Sequence, residues 1–438
     1  MPTKLLDIRG GDALVANLPV PRVGGSAAFT RASVATQINS GVLVPVATGL
    51  VRVSDFIDPV SGLAVPTLLI EQQLTNDYLH TQIESGWTKS DSTSGITQSA
   101  ATGPDNVANS AVKLVEGTTA SAIYVISQFV TYEVAGVQSN HIFLKAAERG
   151  WAIIRTMRYD NSFKYSWIDL TNGVVGTKDA SHTIRIRAMT SGWYRVTVFW
   201  DAVGSGGFNA NFAFGPCDAD NHQTYTGNGS SGIYAYGADW RKNFSNHDTM
   251  SVIPATSAAL TKIGDFLQFG YTSAPQQATY FVEFYEETPS TGGTNQRVVT
   301  FGDSSGSGGP SLRIWRVSGA YQAIWHNGTD SVTATTGALT YVTGDRIRLR
   351  IIHNTDGSVQ IGAKINSAAE VLGSATAAKT IGSTWNQLKV TLGADYNAGN
   401  KGNQGFVSVQ AATGVLTAFP DVATRSTYGT RRGVRQAA

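Results

Sequence analysis

Two stretches of this 438-residue chain have residue types and spacing that could do hydrolytic chemistry. Gly302-Asp-Ser-Ser-Gly306 matches G-x-S-x-G, the elbow in which a serine on a strand-to-helix turn attacks a carbonyl. The elbow needs a helix after the serine, and a histidine and an acid that reach it. Ser307-Gly-Gly-Pro310 cannot begin such a helix, so a Gly/Ser hairpin loop is expected. Glu283, Tyr285 and Glu287 alternate on one expected strand and share a face, as the acids of a two-carboxylate glycosidase do. Glu286 points the other way, and unpaired charges are rarely buried, so a solvated sheet edge is the competing reading.

The seven histidines, His80, His141, His182, His222, His247, His326 and His353, show neither i,i+4 pairing nor H-x-H spacing, and no transition-metal site is expected. No cofactor is expected. Turns at Asp303, Asp330, Asp356 and Asp395 offer oxygen ligands that would suit calcium, although turn chemistry alone accounts for acids there. The aromatic residues are the stronger lead, because the apolar face of a sugar packs on an indole or phenol. Trp151, Trp167, Trp193 and Trp200 lie in strands with apolar partners two residues away and read as core. Trp240, after Tyr234 and Tyr236, reads as partly exposed at a domain edge. Trp315 and Trp325 are expected to form one cluster across a hairpin, flanked by loops at Asn327–Asp330 and at Tyr396 to Asn403, which includes Asn400.

The elements that must carry these residues are strands. Pro45, Pro59 and Pro66 forbid a helix between Phe29 and Asn76, and Thr67-Leu-Leu-Ile70 forms a short buried run. Apolar segments then recur every ~8–15 residues, as in an antiparallel sandwich. They are Ile123 to Val134, His141 to Lys145, Trp151 to Tyr159, Lys164 to Leu170, His182 to Ala188 and Trp193 to Trp200. A second set includes Ala278 to Glu287, Leu312 to Val317, Tyr321 to His326 and Arg346 to His353. With 47 glycines and 15% charged residues, the fold class is all-β: an extended N-terminal arm, then two antiparallel β-sandwiches.

Composition excludes several functions. Thirty-three basic against 31 acidic residues leave a net charge of +2, far from the basic footprint of a nucleic-acid binder. Cys217 is the only cysteine, so no intrachain disulfide framework exists. The charges at Lys4, Asp7 and Arg9 interrupt what a secretory signal would need, and no apolar run reaches the roughly 20 residues of a membrane-spanning helix, so no membrane insertion is expected.

Phe29-Thr-Arg-Ala-Ser33, Ala35-Thr36, Asp58-Pro59, Leu68-Leu-Ile-Glu71 and Thr75-Asn76 occur in an order that resembles an N-terminal signature of bacteriophage virion appendage proteins. Lys145 to Trp151, Gly192-Trp-Tyr-Arg-Val196 and Gly232 to Ala238 resemble the jelly-roll module of such proteins, which is similar to carbohydrate-binding modules; Asp239 stands where that module ends in glutamine. The later strands resemble a concanavalin A-like, or laminin G-like, domain. Laminarinase-like enzymes of that fold carry Glu-x-Asp-x-Glu, and here Tyr285 replaces the middle acid.

The resemblance implies residues 1–76 as a docking arm, 77–250 as the jelly roll, 251–272 as a linker, 273–420 as the concanavalin A-like sandwich and 421–438 as a basic tail. It implies a non-enzymatic virion protein assembled in the host bacterial cytoplasm, associated with the tail or baseplate, or else decorating the capsid. Its partners would be other virion proteins, further copies of itself in a homo-oligomer, a trimer by analogy, and a host-surface glycan. Glycan contacts are expected at Trp240, Tyr236, Trp315, Trp325, Asn327, Asp330, Tyr396 and Asn400, and particle docking at Phe29, Arg31, Arg431 and Arg432. The competing class is a polysaccharide-degrading glycosidase or lyase.

Overall fold

The computed structural model of the protein describes residues 4–9, 14–15, 18–19, 27–33, 35–71, 74–83, 86–90, 93–132, 136–157, 162–202, 208–242, 252–255, 258–262, 265–270, 277–286, 296–302, 311–342, 344–379, 389–392 and 404–413. Among them every regular element is a β-strand, apart from a 3-10 turn at Thr190–Gly192. All strand pairs described below are antiparallel.

The chain forms two compact units. One is built from Met1–Ala32, Gly49–Gln72 and Gly264–Ala438, the other from Ser33–Thr48 and Gln73–Ile263. Residues 1–76 are extended wherever they are described, and their strands are divided between the two units. Extended chain with apolar residues at alternate positions completes a sheet wherever a partner edge is open.

The inserted unit holds two six-stranded sheets. One runs in the order Thr88–Lys89, Ile126–Tyr132, Phe208–Cys217, Trp151–Met157, Phe163–Asp169 and Val174–Lys178. The other runs Thr93–Ala101, Ala111–Glu116, Gly232–Arg241, Gly136–Ala146, Tyr194–Ala202 and His182–Ala188. Their facing sides supply one core that includes Ile142, Ile154, Ile168, Val198, Phe212, Phe214, Trp200 and Trp240. Burying each such side chain contributes about 1.5–3 kcal/mol.

Asn76 holds the chain where it enters this unit. Its side chain is fully buried; Oδ1 accepts from the Trp240 amide at 2.9 Å and the Tyr78 amide at 3.1 Å. Its Nδ2 donates to the Ile253 carbonyl at 2.8 Å and the Thr81 hydroxyl at 2.9 Å. Asparagine fits because one planar amide supplies both donors and acceptors.

The other unit also packs two sheets. An eight-stranded sheet runs from Val371–Leu372 through Val359–Ile365, Arg346–His353, Ala278–Glu286, Gln404–Thr413 and Ala64–Ile70 to Arg52–Ile57, with Lys4–Arg9 also paired to Gln404–Thr413. A seven-stranded sheet runs Ser331–Thr335, Ala320–His326, Ser311–Val317, Gln296–Gly302, Lys389–Leu392, Phe266–Gly270 and Ala27–Thr30. Their core contains Leu68, Ile70, Tyr280, Phe284, Phe301, Trp325, Ile347 and Val409.

A buried ionic cluster ties together four parts of this unit that are distant in sequence. Arg52 donates to Glu71 at 2.7 Å and to Asp265, whose Oδ2 also accepts the Glu71 amide at 2.8 Å. Arg31 lies 3.5 Å from Asp265, and all four side chains are inaccessible to solvent. Two guanidiniums offset two carboxylates, the condition under which such charges tolerate burial.

Two histidines make stability pH-dependent. His182, in the inserted unit, links Thr156 Oγ1 at 2.8 Å and Ser166 Oγ at 2.7 Å; His353, in the other unit, packs on Trp325 with ring centroids 4.8 Å apart. Burial pushes both imidazoles down to about 4, with Asp179 opposing it at His182 and Asp356 at His353. Between pH ~6.5 and ~4 the unfolded chain therefore binds protons that the folded chain refuses, so stability is full above ~6.5 and falls as pH drops. The expected loss approaches ~3 kcal/mol per unit by pH 4. Urea unfolding at pH 7.5 and 4.5 checks it, and His182→Gln should flatten the slope in the inserted unit only.

Candidate functional site

The side of the Phe163–Asp169 sheet that faces away from the main core carries an aromatic ladder. Phe163, Tyr165 and Trp167 alternate on one strand and share a face, with ring centroids 6.4 Å apart at each step. On the neighbouring strand Arg155 lies opposite Tyr165 and Met157 opposite Phe163. On the next strand Asn211 lies opposite Met157, and Phe129, one strand further, lies opposite Asn211. Antiparallel register thus gathers four strands' side chains onto one platform.

One end of the platform is closed. A Cβ at Gly215 would lie 1.9 Å from the Tyr124 carbonyl oxygen, so only glycine lets that segment cross the sheet so closely. Val125 there packs with Ile153, Trp167, Ala213 and Cys217, which leaves Trp167 only 5% exposed. The other end is open: Phe163 is 42% and Phe129 50% exposed, and Tyr165 and Arg155 are half-buried. Large exposed aromatics grouped on a sheet face are unusual enough to mark a contact surface.

The polar groups of the open end are sparse and directed. The Arg155 guanidinium stacks on Phe163, 4.4 Å from the ring centroid, and Nη2 donates to Asn211 Oδ1 at 3.4 Å. Among the described residues its Nε and the Nδ2 of Asn211 have no hydrogen-bond partner. Burial lowers the guanidinium from its ordinary value and raises the Tyr165 phenol, each partly opposed by the other. An aromatic floor beside unsatisfied donors can stack a sugar ring and hold its oxygens.

Reading most of the strand tryptophans as core fits buried Trp167, Trp193 and Trp200, but it does not reveal this outward face. The signal was Phe-x-Tyr-x-Trp at 163–167 with Lys164 and Ser166 between: aromatic residues of period two whose alternate neighbours are polar. Apolar partners two residues away do not distinguish the two faces of a sandwich sheet.

No family model matches this chain, and no curated protein matches it. Among solved structures it is similar to domains LG4-5 of the mouse laminin alpha1 chain, at 10% identity over 78% of this chain and 98% of that one, with a TM-score of 0.23. It is also similar to a carbohydrate esterase from the Shiga toxin-encoding bacteriophage phi24B, at 15% identity over 34% of this chain and 76% of that one, again with a TM-score of 0.23. These are distant structural likenesses.

The residues singled out from sequence are scattered. Trp240 is fully buried: its Nε1 donates to Gln138 at 3.0 Å and its ring packs on Tyr78 and Trp200, so it is core and not an exposed edge. Tyr236 is half-buried against Phe143, its phenol pushed up to about 12, chiefly by burial. Trp315 and Trp325 do not form a cluster. The two-residue turn at Ser318 and Gly319, both at positive φ, sets Val317 opposite Ala320. Odd-numbered residues then face even-numbered ones, Trp315 opposite Gln322 and Leu312 opposite Trp325. Trp325 is therefore core, whereas Trp315 lies on the other face, half-buried beneath the Arg297 guanidinium at 3.5 Å.

Asn327 closes an Asx turn, its Oδ1 accepting the amides of Thr329 at 2.9 Å and Asp330 at 2.8 Å, and exposed Asp330 pairs with Lys379 at 2.9 Å. Phe29 is half-buried against the core of its unit. Arg31, only 2% exposed and held by Asp265, cannot serve as a surface docking contact. Tyr396, Asn400, Arg431 and Arg432 lie outside the described residues, as do Asp303 to Gly306, Glu287, His247 and Asp395.

Among the described residues, the candidates Glu283, Tyr285 and Glu286 meet structural partners. Glu283 is bound by Arg346, which also reaches Asp58 at 3.1 Å, and Tyr285 donates to Asp58 at 2.7 Å. The Ser61 and Val60 amides and Tyr285 hold the Asp58 carboxyl down at about 2 against the cost of burial. Glu286 points to the opposite side, fully buried, and accepts from Tyr321 at 3.0 Å. Ser139 lies 3.2 Å from His141 Nε2, but Arg195 Nη2 sits 3.1 Å from Nδ1. A guanidinium can only donate, so Nδ1 accepts, Nε2 carries the proton, and the ring cannot serve as a base toward Ser139. Among the described residues no group of three or more His, Cys, Asp or Glu is placed to hold a metal ion, and no helix is long and apolar enough to cross a membrane.

Proposed function

We propose that this chain is a non-enzymatic bacteriophage virion protein, a tail- or baseplate-associated appendage that grips a host-surface glycan through the open end of the Phe163–Asp169 sheet face. The observation that carries the glycan reading is the platform itself: Phe163, Tyr165 and Phe129 around half-buried Arg155, with donors left for a ligand. Placement on a virion is supported by the ordered signature in the sequence. Arg31, Glu71 and Asn76 of that signature are interior, which ties it to shared architecture rather than to a surface contact. Docking would then fall to other parts of the chain.

Affinity electrophoresis of the intact chain through gels containing single bacterial envelope polysaccharides tests this reading. Retardation by at least one polysaccharide, reduced about tenfold in affinity in Tyr165→Ala and without release of reducing ends or unsaturated uronates, is the expected result. Loss of one stacking ring is worth ~0.5–1.5 kcal/mol beyond the contact area it removes. Glycan cleavage that disappears in Glu283→Gln would instead establish the enzyme reading.

A further inference from the structure

We propose that the glycan taken by this platform is acidic, with a monoanionic group, a sugar carboxylate or a backbone phosphodiester, seated against Arg155. The proposal rests on the glycan reading above and adds the ligand's charge. Arg155 is a half-buried cation with no carboxylate partner among the described residues. Among the described residues, acids of the same sheet and its loops are already engaged: Asp169 by Thr171 and Asn172, Asp179 by Ser181, Asp218 by His222, and Asp220 by Thr177.

Several other enclosed arginines meet carboxylates. Arg52 meets Glu71 and Asp265, Arg241 meets Asp239, Arg346 meets Glu283 and Asp58, and Arg350 meets Glu370. Burying a cation without a counter-charge costs stability, and a site retaining that cost gains when a ligand brings the missing charge.

The second group points the same way. Asn211 is 1% exposed, and because its Oδ1 accepts from Arg155, its Nδ2 is left as a donor without an acceptor. Arg155 Nε is likewise a donor without an acceptor. Two unsatisfied donors and no unsatisfied acceptor at this spot select an acceptor-rich ligand, and one guanidinium matches one negative charge. Phe163, stacked over the guanidinium and exposed, is the side chain that must shift to admit it.

The test titrates the full chain with polygalacturonate oligomers, with the same oligomers after carboxyl reduction, with a glycerol-phosphate polymer, and with a panel of neutral polysaccharides. At least one acidic polymer is expected to bind ten times or more tighter than the carboxyl-reduced oligomers. The difference should vanish in Arg155→Met and return in part in Arg155→Lys, and the acidic arm that binds identifies the anion. Should Arg155→Met unfold, a salt titration of the native chain replaces it, and affinities for charged and reduced oligomers should converge as salt rises. Equal binding of charged and reduced oligomers, with loss in Tyr165→Ala, would overturn the acidic assignment and leave the platform reading standing. Absence of binding to every polymer, charged or neutral, would overturn both.

Discussion

Arg52→Ala is expected to lower the unfolding free energy of its unit by about 3–5 kcal/mol, the usual cost of breaking a buried ion pair from one side. Arg52 is inaccessible to solvent and spans Glu71 and Asp265, so its removal takes a buried counter-charge from two buried carboxylates. The attraction of the two acids outweighs burial and raises the guanidinium above its ordinary value. Hydrogen exchange in the Ala278–Glu286 strand, at the centre of the same unit, reads the change. The quadruple variant Arg31→Met, Arg52→Met, Glu71→Gln, Asp265→Asn should recover much of the loss, because it removes all four charges together. A single variant as stable as the parent would mean that the cluster contributes nothing to this unit.

Asn76→Ala should cost the inserted unit ~3 kcal/mol or more, since each buried group left without its partner costs ~1–3 kcal/mol. The amides of Trp240 and Tyr78 lose this acceptor, and the Ile253 carbonyl loses one donor while keeping the Thr81 hydroxyl and the Ala255 amide. Asp is the informative second substitution: it keeps the acceptor for both amides, but turns the donor facing Ile253 into a second acceptor. Chemical unfolding followed at the Gly232–Arg241 strand should rank the three proteins Asn76, Asp, Ala in falling stability. Equal stability of all three would remove Asn76 from the account of this unit.

The strands were legible in the sequence because alternation survives folding. Trp151 to Tyr159, Lys164 to Leu170 and Arg346 to His353 appear within a residue or two of their expected ends, as Trp151–Met157, Phe163–Asp169 and Arg346–His353. What alternation does not encode is which side of a strand meets the core. Trp167 and Trp200 both have apolar neighbours at spacing two, yet one lies on the outward platform and the other between the sheets.

Pairing across long separations was also out of reach. Lys4–Arg9 beside Gln404–Thr413, and Arg31 with Asp265, depend on where distant segments meet. By contrast, the two-residue Ser318-Gly319 turn by itself fixes the parity that sends Trp315 and Trp325 to opposite faces. The signature from Phe29 to Asn76 reads differently once its polar members are located, because Arg31, Glu71 and Asn76 are internal ties.

The most direct test of the central claim is hydroxyl-radical footprinting of the intact chain with and without a polysaccharide that retards it. The account predicts protection at Phe163, Tyr165 and Phe129, with Trp315 unchanged. Protection confined to Trp315 and its neighbours, with Phe163 and Phe129 as reactive as before, would contradict it.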